Sequence, residues 1–459
     1  MVCGVRRESV METTDALGVL QQLRTQFHRT VLGRRKDTLF ELADALLVAD
    51  GPQPLVHYSL SPAVQHGWPS LPDALSDGTL DAAALQRLLL PYLPVPERGH
   101  PVWVVDGTTW PRPAAVTSPE RTWCYRPSAG IPQHGLVPGW AYQWLVAVPE
   151  PGTSWVVPLD ITRRGPEAAT PTQVAVAQLR AVLPHVPPGP EPVLTADTGY
   201  DLGDLLTTCH PDAPDRVAVT PLLRLNRRRC VAAPPAPYPG RGRRPTYGTK
   251  LHLRDPASLP PPDQSLILAD PRHDTLTIDL WRDMRVRPHG QYPFCLVRLQ
   301  AARLPQSARP PDPLWLAWCA PTPPADLGDL WRWYSLRFTV EHGFRFSKHE
   351  LGWTTVRLRA PAAADRWSQL ILVTWWQLWL ARPLVADAHL PWERDLPPAR
   401  LTPRRVRRAL RAILPTLGSP VPTLQPRGKS PGRRPGVQPD PHPHQPVVKR
   451  PARAPPKAA

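Results

Sequence analysis

Proline constrains this chain more than any other residue type, occupying 66 of its 459 positions. Each Pro removes a backbone N–H and fixes φ, which breaks helix interiors and central strands, so a long coiled coil or an uninterrupted helical bundle is excluded. Regular structure must therefore lie in the windows that Pro leaves open. With 42% hydrophobic and 20% charged residues the body can still bury a core, and the length allows two or three domains.

Lys and Arg number 55 against 38 acidic residues, a formal charge of +17. Such an excess points to an anionic partner, most often nucleic acid. A GC-rich coding sequence would also enrich Arg, and the chain holds only six Lys. The charge is uneven: residues 401–459 carry 13 basic residues and one acid, Asp440, whereas residues 1–400 carry 42 against 37. From Val421 onward 11 of 39 residues are Pro and few are apolar, which predicts a disordered basic arm. Six scattered cysteines without a C-x-x-C pair argue against a zinc module or a disulfide framework and fit a reducing cytoplasm, where a DNA partner would make the protein nucleoid-associated. The first residues lack the apolar stretch of a signal peptide, and Met11 is an alternative start. The most hydrophobic run, Ile371 to Leu380, is too short to span a bilayer, so no membrane partner is expected.

The Pro-poor windows predict the elements. Leucines at helical spacing (Leu17, Leu20, Leu23, then Leu39, Leu42, Leu46) and a run from Leu80 to Leu90 predict a helical N-terminal domain over 1–95, with possible DNA-end binding. Val102 to Asp106 reads as a buried strand ending in a carboxylate, and strands follow near Tyr142–Val148 and Ser154–Leu159. A helix over Thr172–Leu183, a strand from Pro192 ending at Asp197, a helix near Leu202–Thr208 and a strand over Arg216–Thr220 complete the segment 100–220. Three strands, helix, strand, helix, strand is the order of an α/β, RNase H-like core, with helices flanking a mixed sheet. Residues 221–325, basic and Pro-rich at first and then strand-like, predict a β-rich insertion. The core resumes over 326–385 and leads into a Pro/Arg-rich basic tail over 386–459.

Glu is rare, with 11 in the chain and none between Glu191 and Glu341. Glu341 lies in the pattern Y-x2-R-x3-E-x6-K formed by Tyr334, Arg337, Glu341 and Lys348. On one continuous helix those offsets fall within about a 60° arc, and a phenol, guanidinium, carboxylate and ammonium in line suit a phosphodiester held beside a metal. A solvated, salt-bridged helix face would present the same residues. Asp201 and Asp204 suit helix capping, and His342 points away from Glu341; Trp281 and Trp353 could stack on an unpaired base, but core packing suits them, and the Trp367–Trp379 stripe, better.

The sequence resembles the DDE transposases of bacterial insertion sequences, in the group with the Y-R-E-K signature. The resemblance covers roughly residues 100–385, through VVDGTTW around Asp106, LTADTGYD around Asp197 and YSLRFTVEHGFRFSKHELGW around Glu341. It implies an RNase H-like fold and catalysis by Asp106, Asp197 and Glu341, which would hold two Mg²⁺ ions, with Mn²⁺ able to substitute. Tyr334, Arg337 and Lys348 would contact the DNA backbone. The Arg227, Arg228, Arg243 and Arg244 clusters beside this site are further candidates for DNA contact. The implied activity is metal-dependent cleavage and strand transfer at the element's own terminal inverted repeats, by a dimer in complex with the DNA ends and a target DNA. A domesticated or inactive transposase acting as a DNA-binding protein, or a nuclease that does not join strands, would share much of this sequence.

Overall fold

The structure is a computed structural model, and it describes residues 13–96, 99–125, 135–167, 170–238, 240, 242, 244–303, 311–424, 436, 438 and 441–448. Arg243 lies outside the described residues.

Four helices, α1 (Thr13–Gln26), α2 (Lys36–Val48), α3 (Ser70–Asp77) and α4 (Ala82–Leu89), form the N-terminal unit. The leucines that set the helical spacing, Leu20, Leu23, Leu39, Leu42 and Leu46, are all fully buried. Asp81 caps α4 by accepting from the Ala84 N–H at 3.0 Å, as expected for a carboxylate at a helix N-terminus.

The strands follow as β1 (Val102–Pro111), β2 (Thr122–Tyr125), β3 (Leu136–Val148) and β4 (Val157–Arg164). Next come α5 (Pro171–Val182), β5 (Val193–Ala196), α6 (Leu202–Cys209) and β6 (Thr220–Leu225). The last strand starts where the sequence reading ended it: Thr220 pairs with Val193, so Arg216–Val219 form the approach to the strand. Strand order is β4-β3-β1-β5-β6, with β4, β3 and β1 antiparallel and β1, β5 and β6 parallel. This is the RNase H-like mixed sheet that the element order implied.

Residues 221–325 contribute β7 (Cys230–Ala232), β8 (Lys250–His252), β9 (Gln264–Asp270), β10 (Asp274–Met284), β11 (Phe294–Ala301) and β12 (Leu314–Trp318). β7 and β8 pair only with each other, but β12 pairs with β6 and the order continues β12-β11-β10-β9. The inserted strands therefore extend the main sheet to ten strands. Their inner face, including Ile278, Leu280, Val297 and Leu316, packs a second core against Leu330, Trp333 and Tyr334.

The segment expected to be one signature helix is two: α7 (Gly328–Leu336) and α8 (Thr339–His349). At the junction the N–H groups of Arg337, Phe338, Val340 and Glu341 each bond three residues back, which tightens the turn and spoils a uniform 100° spacing. Next comes α9 (Pro361–Ala381), nearly all buried, with Trp367, Trp375 and Trp376 in the core as expected for a central helix.

The tail holds a helix that the sequence reading left unassigned, α10 (Pro403–Leu417), capped by Thr402 and buried along Val406, Leu410 and Leu417. Further on, within the stretch expected to be a disordered arm, Gln445 and Val448 donate backbone N–H bonds to Val116 and Arg121, and Val448 bridges to Thr122 at the start of β2. Among the described residues Cys209, Cys230, Cys295 and Cys319 are free, and no helix is long and apolar enough to cross a membrane.

Candidate active site

β1 and β5 run parallel with Val104 opposite Thr195. Two residues further along stand Asp106 and Asp197; Asp197 lies just past the end of β5, but β1 does not end at Asp106 as the apolar run suggested, because Gly107 to Pro111 go on pairing with β3. Side chains alternate along a strand, so Asp106 and Thr108 share one face. α8 packs on that face, where the Lys348 ammonium donates to Thr108 Oγ1 at 2.6 Å. Glu341 is exposed in the first turn of the same helix.

The close approach of α8 depends on Gly343, where a Cβ would lie 2.6 Å from Val156 Cγ2. Behind the helix, Trp353 is fully buried, with its ring 5.2 Å from those of Tyr142 and Trp144 and 6.1 Å from that of Trp110. Its indole N–H donates to Ser368 of α9, and that of Trp375 donates to Ser347 of α8. Trp281 is buried as well, so both single tryptophans weighed for base stacking are core residues.

Electrostatics tie the acids together. Burial pushes the Asp106 carboxyl up to about 6; Arg337 opposes that rise, and the charges of Asp197 and Glu341 add to it. The Arg337 guanidinium donates to Asp106 Oδ2 at 3.2 Å, and the Gly107 N–H donates to Oδ1 at 2.7 Å. Asp197 Oδ1 accepts from the Gly199 N–H at 2.8 Å. A partly buried carboxylate whose charge is opposed by two neighbouring acids suits a divalent cation, which would offset that repulsion.

Among the described residues, the only three potential ligands whose atoms all lie within 4.8 Å of one another are Asp387, His389 and Asp395, in the loop before α10. Arg405 and the Leu396 N–H already engage Asp387 there. Asp106, Asp197 and Glu341 are spread more widely.

The remaining sequence candidates fall into two groups. Tyr334 and Arg337 are buried, and the Tyr334 hydroxyl and Arg337 Nε lack hydrogen-bond partners among the described residues. The Arg337 guanidinium lies 4.8 Å over the Phe338 ring, and burial holds the Lys348 ammonium below its ordinary range. Arg227, Arg228 and Arg244 are exposed at the surface; Arg227 pairs with Asp312 at 2.5 Å, and Arg244 stacks on Tyr238. Asp201 caps α6 by accepting from the Asp204 N–H, which supports the capping assignment.

Three residues beside the acids were not singled out from the sequence. Thr108 could have been, because a strand's period of two puts it on the face of Asp106. Tyr200 is buried, and burial followed by the charges of Asp106 and Asp197 pushes its hydroxyl well above its ordinary range. Arg164, at the end of β4, reaches across β3 to within 3.8 Å of where a Gly107 Cβ would stand. No local motif announces either contact.

An RNase H-like sheet with acids level on its two central parallel strands, and a third carboxylate on a helix packed against them, defines a nuclease-type enzyme. The chain belongs to the DDE superfamily endonuclease family, whose model matches residues 22–288, and this is consistent with a DDE transposase. The match spans Asp106 and Asp197 and ends before Glu341, so the third carboxylate rests on the signature and on the packing of α8. A comparison with curated proteins finds no match.

Proposed function

We propose that this protein is a cut-and-paste DNA transposase that cleaves the ends of its own insertion sequence and joins them to target DNA. The observation that carries this reading is the alignment of Asp106 with Asp197 on adjacent strands under a helix bearing Glu341, with the Asp106 charge opposed by both other acids. These three carboxylates would hold two Mg²⁺ ions, or Mn²⁺ in their place. Such ions supply activation of a water or a 3′-OH and stabilise the leaving oxygen of an in-line displacement at phosphorus.

The chain's own residues do the rest. Arg337 balances the Asp106 charge and, with Tyr334, holds the carboxylate in its buried setting. Lys348, fixed by Thr108, places an ammonium beside β1 where a scissile phosphate would lie. Arg227, Arg228, Arg243 and Arg244 extend the DNA contact beyond the acids. The N-terminal unit over 1–95 binds the element's ends, residues 100–220 and 326–385 form the catalytic core, and the basic segments of the tail over 386–459 add sequence-independent affinity. Pairing two ends calls for at least a dimer on DNA, acting in the cytoplasm at the nucleoid.

The test is joining. Purified protein is incubated with labelled terminal DNA of the element, a target plasmid and Mg²⁺ or Mn²⁺. Nicks with 3′-OH ends followed by joined products are expected. Nicking without joining would favour a nuclease, and binding without nicking would favour a domesticated DNA-binding protein.

A further inference from the structure

Residues 355–359 leave the catalytic helix with alternating exposure: Thr355, Arg357 and Arg359 face out, while Val356 and Leu358 are buried. The two guanidiniums rim a cavity of about 650 Å³ between this segment and the N-terminal unit, floored by Leu55 and Val56 and edged by the hydroxyl residues Ser76 and Thr355. Neither Arg makes an ion pair among the described residues. This sets them apart from Arg34, Arg35, Arg332 and Arg405, each of which is committed to an acid. The first turn of α9, whose N-cap residue Ala360 offers no capping side chain, opens on the same cavity.

We infer that Arg357, Arg359 and the cavity they rim form a docking site for the DNA backbone outside the catalytic centre. Two unpaired cations spaced two residues apart, hydroxyl donors and the positive end of a long helix suit consecutive phosphates, and the apolar floor suits the sugar edges between them. The site would hold the DNA backbone between the N-terminal unit and the segment that leads into α9. This deepens the reading of the protein as a DNA enzyme and rests on it.

The test is a salt titration of binding to a short fluorescein-labelled duplex, read by anisotropy. Each neutralised phosphate contributes about 0.9 to the slope of log K against log salt, so Arg357→Gln/Arg359→Gln should flatten it by about 1.8, roughly a tenfold smaller loss of affinity over a fourfold rise in salt. Arg357→Lys/Arg359→Lys should keep the wild-type slope, and Val56→Glu, at a half-exposed position on the cavity floor, should weaken binding further. All three positions reach solvent, and thermal melting checks that the variants fold. An unchanged slope in the double Gln variant, with wild-type binding and nicking intact, overturns this site alone. Failure of the wild-type protein to bind the duplex overturns the DNA-enzyme reading with it.

Discussion

Replacing Asp106 by Asn should stabilise the metal-free protein, and the pH dependence of that gain identifies its cause. Burial, reinforced by Asp197 and Glu341 and opposed by Arg337, lifts the Asp106 carboxyl from its ordinary 3.8 to about 6. The unfolded chain releases this proton near 3.8 and the folded protein only near 6, so the group's contribution to stability is present below 3.8, falls as pH climbs through the window, and stays low above 6. At 1.36 kcal/mol per pH unit, ionising Asp106 in the fold costs on the order of 3 kcal/mol. With an unfolding entropy of about 2.1 cal/mol/K per residue, the variant should melt about 3 °C higher at pH 8 in a chelator. The gap should close as pH approaches 4. Adding Mg²⁺ or Mn²⁺ should raise the melting temperature of the wild-type protein but not that of Asp106→Asn, since only the former keeps the proposed ligand set. Calorimetry or dye-based melting reads both effects. A variant that melts below wild type by the same amount at every pH would refute the argument that the acids repel one another at this site.

Three further outcomes follow from the packing. Thr108→Val removes the acceptor at 2.6 Å from the half-buried Lys348 ammonium; leaving that donor unsatisfied should cost about 1–3 kcal/mol, measurable by denaturant unfolding. Trp353→Ala empties the aromatic cluster behind α8 and should cost about 3–5 kcal/mol, with loss of near-ultraviolet dichroism. Truncation after Leu424 removes the basic segments and the Gln445–Val448 contacts with the β2 edge; it should flatten the salt dependence of DNA binding while leaving metal-dependent nicking, and loss of nicking at low salt would show that the tail takes part in cleavage.

The sheet was legible because the segments leading into Asp106 and Asp197 lie in windows free of Pro, and a buried parallel strand reads as a plain apolar run; the extension of β1 beyond Asp106 to Pro111 was not, because its polar residues Gly107, Thr108 and Thr109 break that run. Helix α5 was legible within a residue at each end because Thr170 and Gln173 form a capping box before an apolar period. α10 was not: its basic residues, among them Arg404, Arg405, Arg407 and Arg408, resemble a solvated tail. Arg407 is in fact buried, donating to the carbonyls of Leu46 and Glu350, contacts more than fifty residues away in sequence. The break between α7 and α8 escaped as well, since Leu336, Arg337 and Phe338 carry neither Gly nor Pro to mark a tightened turn. At the site, the order of the acids was readable, but the pairing of Arg337 with Asp106 and the reach of Arg164 over Gly107 depend on how distant elements pack.

The most direct test of the central claim is single-turnover cleavage of labelled element-end DNA in Mg²⁺ by the wild-type protein and by Asp106→Ala, Asp197→Ala and Glu341→Ala. The three-carboxylate site predicts metal-dependent 3′-OH nicks from wild type and a loss of at least about a thousandfold in each variant, as expected when a group that acts as part of one unit is removed. Cleavage at the wild-type rate by any one of the three variants would contradict it.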